Sequence, residues 1–185
     1  MGPEIVAWIK RYIKEMEDCK VKNLTKRNEP TNWCAPDGSD VKLNFDATFD
    51  ESQAKLVSGV VARNASEEVL AVKTTAHGMV VSSFAAEAHT CLQAVLMGKQ
   101  MGLTSIIIEG DSTSIIKKSK LERMDNSVIE ALIRNIQQQK RYFQQIIFRH
   151  VSRYANLMAH NLARNAMREE SRSFEVGLRR RREPN

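Results

Sequence analysis

The sequence predicts an α/β domain in which a mixed β-sheet is flanked by helices, and three observations predict it. Residues 41–50 alternate without a break: Val41, Leu43, Phe45, Ala47 and Phe49 point one way, and Lys42, Asn44, Asp46, Thr48 and Asp50 the other. A period of two with β-branched and aromatic residues on one face is a half-buried strand. The run Thr104-Ser105-Ile106-Ile107-Ile108-Glu109 has an unbroken apolar centre and is too short for a helix. A strand covered on both faces, hence parallel and internal, accounts for it. Strand-like and helix-like stretches follow one another in the order βββαβααβα, which suits a mixed sheet with helices rather than a bundle or a sandwich.

Taken in order, residues 1–20 hold an amphipathic helix over 4–17. Pro3 suits its first turn, and Ile5, Trp8, Ile9, Tyr12, Ile13 and Met16 form one stripe. Such a stripe packs on its own domain or docks a protein partner. Residues 21–40 collect Lys, Asn, Asp, Gly, Pro30 and Pro36 and read as a linker, with Trp33 pinning its end. The main domain spans 41–168. Within it, 56–63 and 69–76 are strands joined by the polar turn Asn64-Ala65-Ser66-Glu67-Glu68, which makes the first three strands an antiparallel meander.

Ser83 is the expected cap of a long helix over 84–100 with Phe84, Ala88, Cys91 and Val95 inward and Gly102 as its stop. Asp111-Ser112 opens a short helix, and Asn126-Ser127 caps another over 128–139. A last strand covers 143–150 and a last helix 156–168. Residues 169–185 read as a basic, mobile tail ending in Arg179-Arg180-Arg181-Arg182, either a solvated run or a phosphate-binding or nuclear-import patch.

Composition narrows the class. Over 185 residues, 42% are hydrophobic and 27% charged, which is globular, and the net charge of +6 favours a polyanionic partner. Three cysteines (Cys19, Cys34, Cys91) without a C-x-x-C pair exclude a disulfide framework or a zinc knuckle, so no disulfide-linked partner is expected. No apolar run reaches the ~20 residues that span a bilayer, and no signal peptide opens the chain. The expectation is a soluble intracellular protein of the nucleus or cytoplasm.

Three carboxylates stand out. Asp46 lies mid-strand, where acidic residues are depleted; a solvated strand face explains it equally well. Glu87 falls on the inward side of the long helix, four residues after Ser83, one too many for a capping box. Asp111 follows the buried strand, where parallel sheets present ligand-binding residues, but it is also a good N-cap. If the first and fourth strands are neighbours, the three converge. Carboxylates clustered without Cys or His suit hard cations, Mg²⁺ or Mn²⁺.

The motifs Asn44-Phe45-Asp46-Ala47-Thr48-Phe49, Ala86-Glu87-Ala88, Glu109-Gly110-Asp111-Ser112 and His150-Val151-Ser152-Arg153-Tyr154-Ala155-Asn156 occur in the order of the ribonuclease H superfamily. With the lead-in Trp33-Cys34-Ala35-Pro36-Asp37-Gly38 and Lys42, the chain most resembles the plant ribonuclease H-like group, many of whose members derive from retroelements. The resemblance covers roughly residues 33–168. It implies a five-stranded mixed sheet, three strands antiparallel and two parallel, and metal-dependent cleavage of the RNA strand of RNA–DNA hybrids. It assigns metal ligation to Asp46, Glu87 and Asp111 and proton handling to His150. Two departures stand out: His160 replaces the fourth carboxylate after Asn156-Leu157-Met158-Ala159, and Ala47 replaces the glycine after the first aspartate. Imidazole is a poor ligand for Mg²⁺.

The expected function is therefore a Mg²⁺- or Mn²⁺-dependent endonuclease on RNA–DNA hybrids, with Asp46, Glu87, Asp111, His150 and His160 at its centre. Asn44, Thr48, Ser112 and Asn156 in the matched motifs, with Lys117, Lys118, Lys120 and Arg123, are the expected nucleic-acid contacts. The rival is a non-catalytic binding or adaptor module that kept the fold.

Overall fold

The computed structural model describes residues 32–52, 55–78, 82–120 and 129–180, with side chains as far as Glu169. The amphipathic helix expected over 4–17 lies outside these residues. Five strands form one sheet: β1 (Val41–Asp50), β2 (Lys55–Arg63), β3 (Val69–His77), β4 (Ser105–Gly110) and β5 (Gln145–His150). Their order is β3-β2-β1-β4-β5. The pairs β1–β2 and β2–β3 are antiparallel, and β1–β4 and β4–β5 are parallel. The meander and the internal parallel strand expected from the sequence are both present. Four helices accompany the sheet: α1 (Ser83–Gln100), α2 (Thr113–Lys120), α3 (Glu130–Lys140) and α4 (Leu157–Arg180). Among the described residues no helix is long and apolar enough to cross a membrane.

Local chemistry sets the boundaries. At the β2–β3 turn, the Asn64 side chain accepts from the backbone N–H groups of Ser66 and Glu68, an Asx arrangement that lets Glu67 take a positive φ of 62°. The α1 cap is Ser82, not Ser83: its hydroxyl accepts from Ala85 N at 3.2 Å. Gly102, at φ 71°, ends that helix as expected. The last strand starts at Gln145 rather than 143, because Gln144 and Gln145 both donate to Thr104 O and the Phe143 ring turns into the core. The cap expected at Asn126-Ser127 lies outside the described residues; the first turn of α3 begins at Ile129 without a side-chain cap. The last helix runs past Arg168 to Arg180. Between those positions only Gly177 disfavours helix, and a single glycine weakens a helix by only ~1 kcal/mol.

One sheet face carries the main core. Leu43 and Phe45 of β1, Leu56 and Val60 of β2, and Ile106 and Ile108 of β4 pack with Ala88, Cys91 and Val95 of α1 and with Ile115, Ile133 and Ile136. The other face differs from the half-solvated strand that alternation suggested. Lys42, Asn44 and Asp46 are buried as fully as their apolar neighbours. The cover is α4, which packs across β1 and β2 with Met158, Ala159, Leu162 and Ala163.

That packing is tight at one point. A Cβ on Gly59, the partner of Asp46 in the β1–β2 register, would lie 2.6 Å from Ala159 O and 2.8 Å from Ala163 N. Both are backbone atoms, so no rotamer change relieves the clash. Gly59→Ala is expected to push α4 off the sheet and destabilise the fold by about 1–3 kcal/mol. Gly78→Ala, with nothing within 4 Å of its Cβ, should be close to neutral. Urea unfolding of both variants measures this; equal midpoints would refute the close approach.

Candidate active site

The fold brings the three carboxylates together. In the β1–β4 register Asn44 stands opposite Glu109, and two residues further on Asp46 comes beside Asp111. Asp111 is set by Gly110, where a Cβ would lie 2.4–2.9 Å from the Phe45 ring. That ring, filling the core under the strand ends, leaves room only for glycine. Glu87 reaches the same point from the second turn of α1. One oxygen from each of Asp46, Glu87 and Asp111 lies within 4.8 Å of the others. Among the described residues this is the one group of three or more His, Cys, Asp or Glu side chains so placed.

Its electrostatics are unfavourable as it stands. Asp46 is fully buried, and its Oδ1 and the Oε2 of Glu87 have no hydrogen-bond partner. Burial pushes the Asp46 carboxyl up to about 6, an effect that its hydrogen bond to His160 partly offsets. Glu87 is pushed up to about 8, first by burial and then by repulsion from Asp46 and Asp111. Buried oxygens without donors, in an all-oxygen set, fit a hard divalent cation. Raised carboxyls gathered at one point make the cluster a candidate functional site.

Two cationic or potentially cationic side chains lie against the cluster. His160 Nδ1 is 2.7 Å from Asp46 Oδ2. Arg153 Nη1 donates to Asp111 Oδ2 at 3.0 Å, and Arg153 Nη2 lies 3.0 Å and 3.3 Å from Nδ1 and Nε2 of His160. Near-equal distances to both ring nitrogens put the guanidinium against the imidazole face. His160 thus touches the site through Asp46, and the mutually close donor atoms stop at the three carboxylates. His150 sits at the rim, where its Nε2 donates to Asp111 O at 3.2 Å.

The expected nucleic-acid contacts divide. Asn44 and Asn156 are fully buried, with their amides turned to partners inside the protein. Asn44 Nδ2 donates to Glu109 Oε2 and Asn156 Oδ1, Arg63 Nη2 donates to Asn44 Oδ1, and Asn156 Nδ2 donates to Phe45 O. Their amides tie β1 to β4 and to the start of α4. Thr48 and Ser112 are half-buried beside the cluster in sequence, Lys117 and Lys120 are exposed on α2, and Lys118 is half-buried. Arg123 lies outside the described residues.

Arg153 is the residue that sequence reasoning missed. Its partners are 42 and 7 positions away, and no local pattern pairs them. The network under the site was equally hidden. Lys42 Nζ lies 2.9 Å from Glu109 Oε1 and donates to Cys34 O, while the Arg63 guanidinium stacks on the Trp33 ring at 3.5 Å. Burial lowers Arg63 to about 10 despite Glu109.

The raised carboxyls fix how metal-free stability depends on pH. Both groups bind protons more tightly in the folded chain, so their contribution is full below the unfolded value and is lost as pH rises through the folded one. For Glu87 that window runs from about 4.5 to about 8. In EDTA the melting temperature should therefore fall across this range. Glu87→Gln should flatten the fall and stabilise the chain at pH 8, and Mn²⁺ should restore wild type there. A pH-independent melting temperature in EDTA would contradict the burial of these groups.

Comparison with known proteins places this geometry. The reverse transcriptase-like family matches residues 44–166. No curated protein sequence matches the chain. RNase H1 of Halobacterium salinarum NRC-1 is 20% identical with a TM-score of 0.65, over 70% of this chain and 98% of that one. The N-terminal RNase H domain of a Mycobacterium tuberculosis protein is 21% identical with a TM-score of 0.64, over 74% and 99%. LC11-RNase H1, solved in complex with an RNA/DNA hybrid, is 15% identical with a TM-score of 0.60, over 68% and 94%. At these identities the likeness is one of fold. With a family match over residues 44–166, the chain belongs to the reverse transcriptase-like family, and its fold is that of ribonuclease H.

Proposed function

We propose that this chain is a divalent-cation-dependent endonuclease that hydrolyses the RNA strand of RNA–DNA hybrids. The observation that carries the reading is the convergence of Asp46, Glu87 and Asp111 with two buried oxygens left without donors. Asp46, Glu87 and Asp111 would hold Mg²⁺ or Mn²⁺. A pair of such ions supplies charge stabilisation for the attacking and leaving oxygens of an in-line displacement.

The chain's own residues do the rest. The partly protonated state of Glu87 near neutrality means that loading the site releases a proton. His150, exposed at the rim, accepts a proton from the attacking water or returns one to the leaving 3′-oxygen. The exposed ammonium groups of Lys117 and Lys120 lie along the phosphate backbone, with the half-buried Ser112 next to Asp111; the Thr48 hydroxyl is buried and supports the site from within. Such contacts give affinity without sequence preference, and the 2′-hydroxyl distinguishes RNA from DNA. The hybrid found in the LC11-RNase H1 complex is the substrate class this fold accommodates in a relative.

One observation favours a second reading. Arg153 and His160 already lean on Asp111 and Asp46, as they would in a nucleic-acid-binding module that no longer cleaves. A labelled RNA–DNA hybrid incubated with Mg²⁺, Mn²⁺ or EDTA separates the two: metal-dependent product supports the nuclease, and salt-sensitive binding without product supports the module.

Asp46→Asn and Asp111→Asn are each expected to lower metal-dependent cleavage by about 100-fold or more, since each removes a charge that positions the ions. Both variants should remain folded, and wild-type rates in either would end the assignment. His160→Asp should raise the Mg²⁺-supported rate relative to the Mn²⁺-supported one, because it offers an oxygen where imidazole stands 2.7 Å from Asp46. An unchanged Mg²⁺ to Mn²⁺ ratio would leave His160 as a packing residue.

A further inference from the structure

The grip of Arg153 on the carboxylate cluster carries an inference that rests on the proposed metal centre and goes beyond it. The guanidinium spans from Asp111 Oδ2, at 3.0 Å, to the imidazole that is itself 2.7 Å from Asp46 Oδ2. The turn that bears it is pinned: Val151 N donates to Gly110 O, and Asn156 N donates to Ser152 O. Its Cα is therefore held beside Asp111, while the side chain is 59% exposed and can rotate away.

A guanidinium is charged at every pH the fold meets and donates from a rigid fork. Asp111 therefore already has a cation on Oδ2, whereas the neighbouring Asp46 Oδ1 and Glu87 Oε2 have no donor. A divalent ion shared among these three residues brings two further positive charges to the oxygens that Arg153 approaches. Both cations gain from the same carboxylate charge, and each raises the free energy of the other at this distance.

We propose that Arg153 is an internal competitor for the divalent cation. The metal fills the site as the guanidinium swings off Asp111, so Arg153 sets the metal concentration at which the cluster becomes occupied. The device uses only a side chain on a fixed turn and needs no movement of the sheet or of α4.

The test is a calorimetric titration of Mn²⁺ into metal-stripped full-length protein, comparing wild type, Arg153→Gln and Arg149→Gln. Arg149 is a matched control: it removes the same unit of charge from β5, where its guanidinium faces Glu109 at 3.7 Å rather than the cluster. Arg153→Gln should bind Mn²⁺ about two- to fivefold more tightly, the span expected when one exposed ion pair is lost. That gap should narrow with added salt, and Arg149→Gln should match wild type. Three results would overturn competition: equal affinities for wild type and Arg153→Gln, equal tightening in both variants, or weaker binding in Arg153→Gln. The last would instead make Arg153 a positioning residue for Asp111. Absence of Mn²⁺ binding in all three proteins is a different failure, because it removes the metal centre itself.

Discussion

The backbone contact between the last helix and the sheet at Gly59 is the constraint on which the site depends. A side chain there would meet Ala159 O and Ala163 N, so α4 lies directly on the strand that pairs with β1. His160, one residue beyond Ala159, thereby reaches Asp46. The same contact closes the second face of the sheet over Lys42, Asn44 and Asp46, which alternation alone would leave in water. Burial of Asp46 and its raised carboxyl thus trace to a missing side chain on the neighbouring strand. Helix–sheet packing of this kind is sharply distance-dependent, because a well-packed interior transmits a shift of a few tenths of an ångström rather than absorbing it.

Sealing a polar strand face has a consequence for the layer beneath the site. Lys42, Asn44, Arg63, Glu109 and Asn156 are all excluded from water, and each finds partners inside. Glu109 meets Lys42 and receives the Asn44 amide, while Arg63 bridges from Asn44 to the face of Trp33. Removing one member of such a network leaves a buried charge without compensation, which is far more damaging than never having had the pair. The network also fastens the lead-in around Cys34 to the sheet through the Lys42 ammonium. It therefore stiffens the ends of β1 and β4 from which Asp46 and Asp111 project.

How much of this was legible in the sequence depended on the range of each interaction. Strand alternation at 41–50 and the isoleucine run at 106–108 are local patterns, and both strands appear where they were expected, paired and parallel. Asp46 and Glu87 were legible because acidic residues at mid-strand or inward helical positions violate local preference, and Asp111 because it follows the buried parallel strand. What stayed hidden was chemistry between distant positions. Arg153 meets Asp111 across 42 residues, and Lys42 meets Glu109 on the neighbouring strand. Asn44 and Asn156 looked like contacts for a ligand because they flank the acids, yet their amides bond to each other and to the sheet. A serine one place earlier caps α1, since two adjacent serines offer the same hydroxyl and only backbone geometry chooses between them.

The contrast between adjacent layers of one sheet face separates structural from functional acid more sharply than burial does. Glu109 and Asp46 are equally inaccessible, on neighbouring strands and on the same face. Glu109 has both oxygens engaged, by an ammonium and an amide, and nothing about it calls for a ligand. Asp46 has one oxygen on His160 and one on nothing, with two more carboxylates within 4.8 Å. An unpaired buried oxygen costs about 1–3 kcal/mol, and more when charged. A fold that leaves one oxygen of Asp46 bare while engaging both oxygens of Glu109 in the next layer has its uncompensated carboxylate where a cation can offset it. The same comparison explains the cationic fringe. Arg153 donates to Asp111 from a largely exposed position, while the mostly buried His160 contacts Asp46 from the covering helix. The hold of Arg153 is weak enough to yield, because its guanidinium is largely exposed.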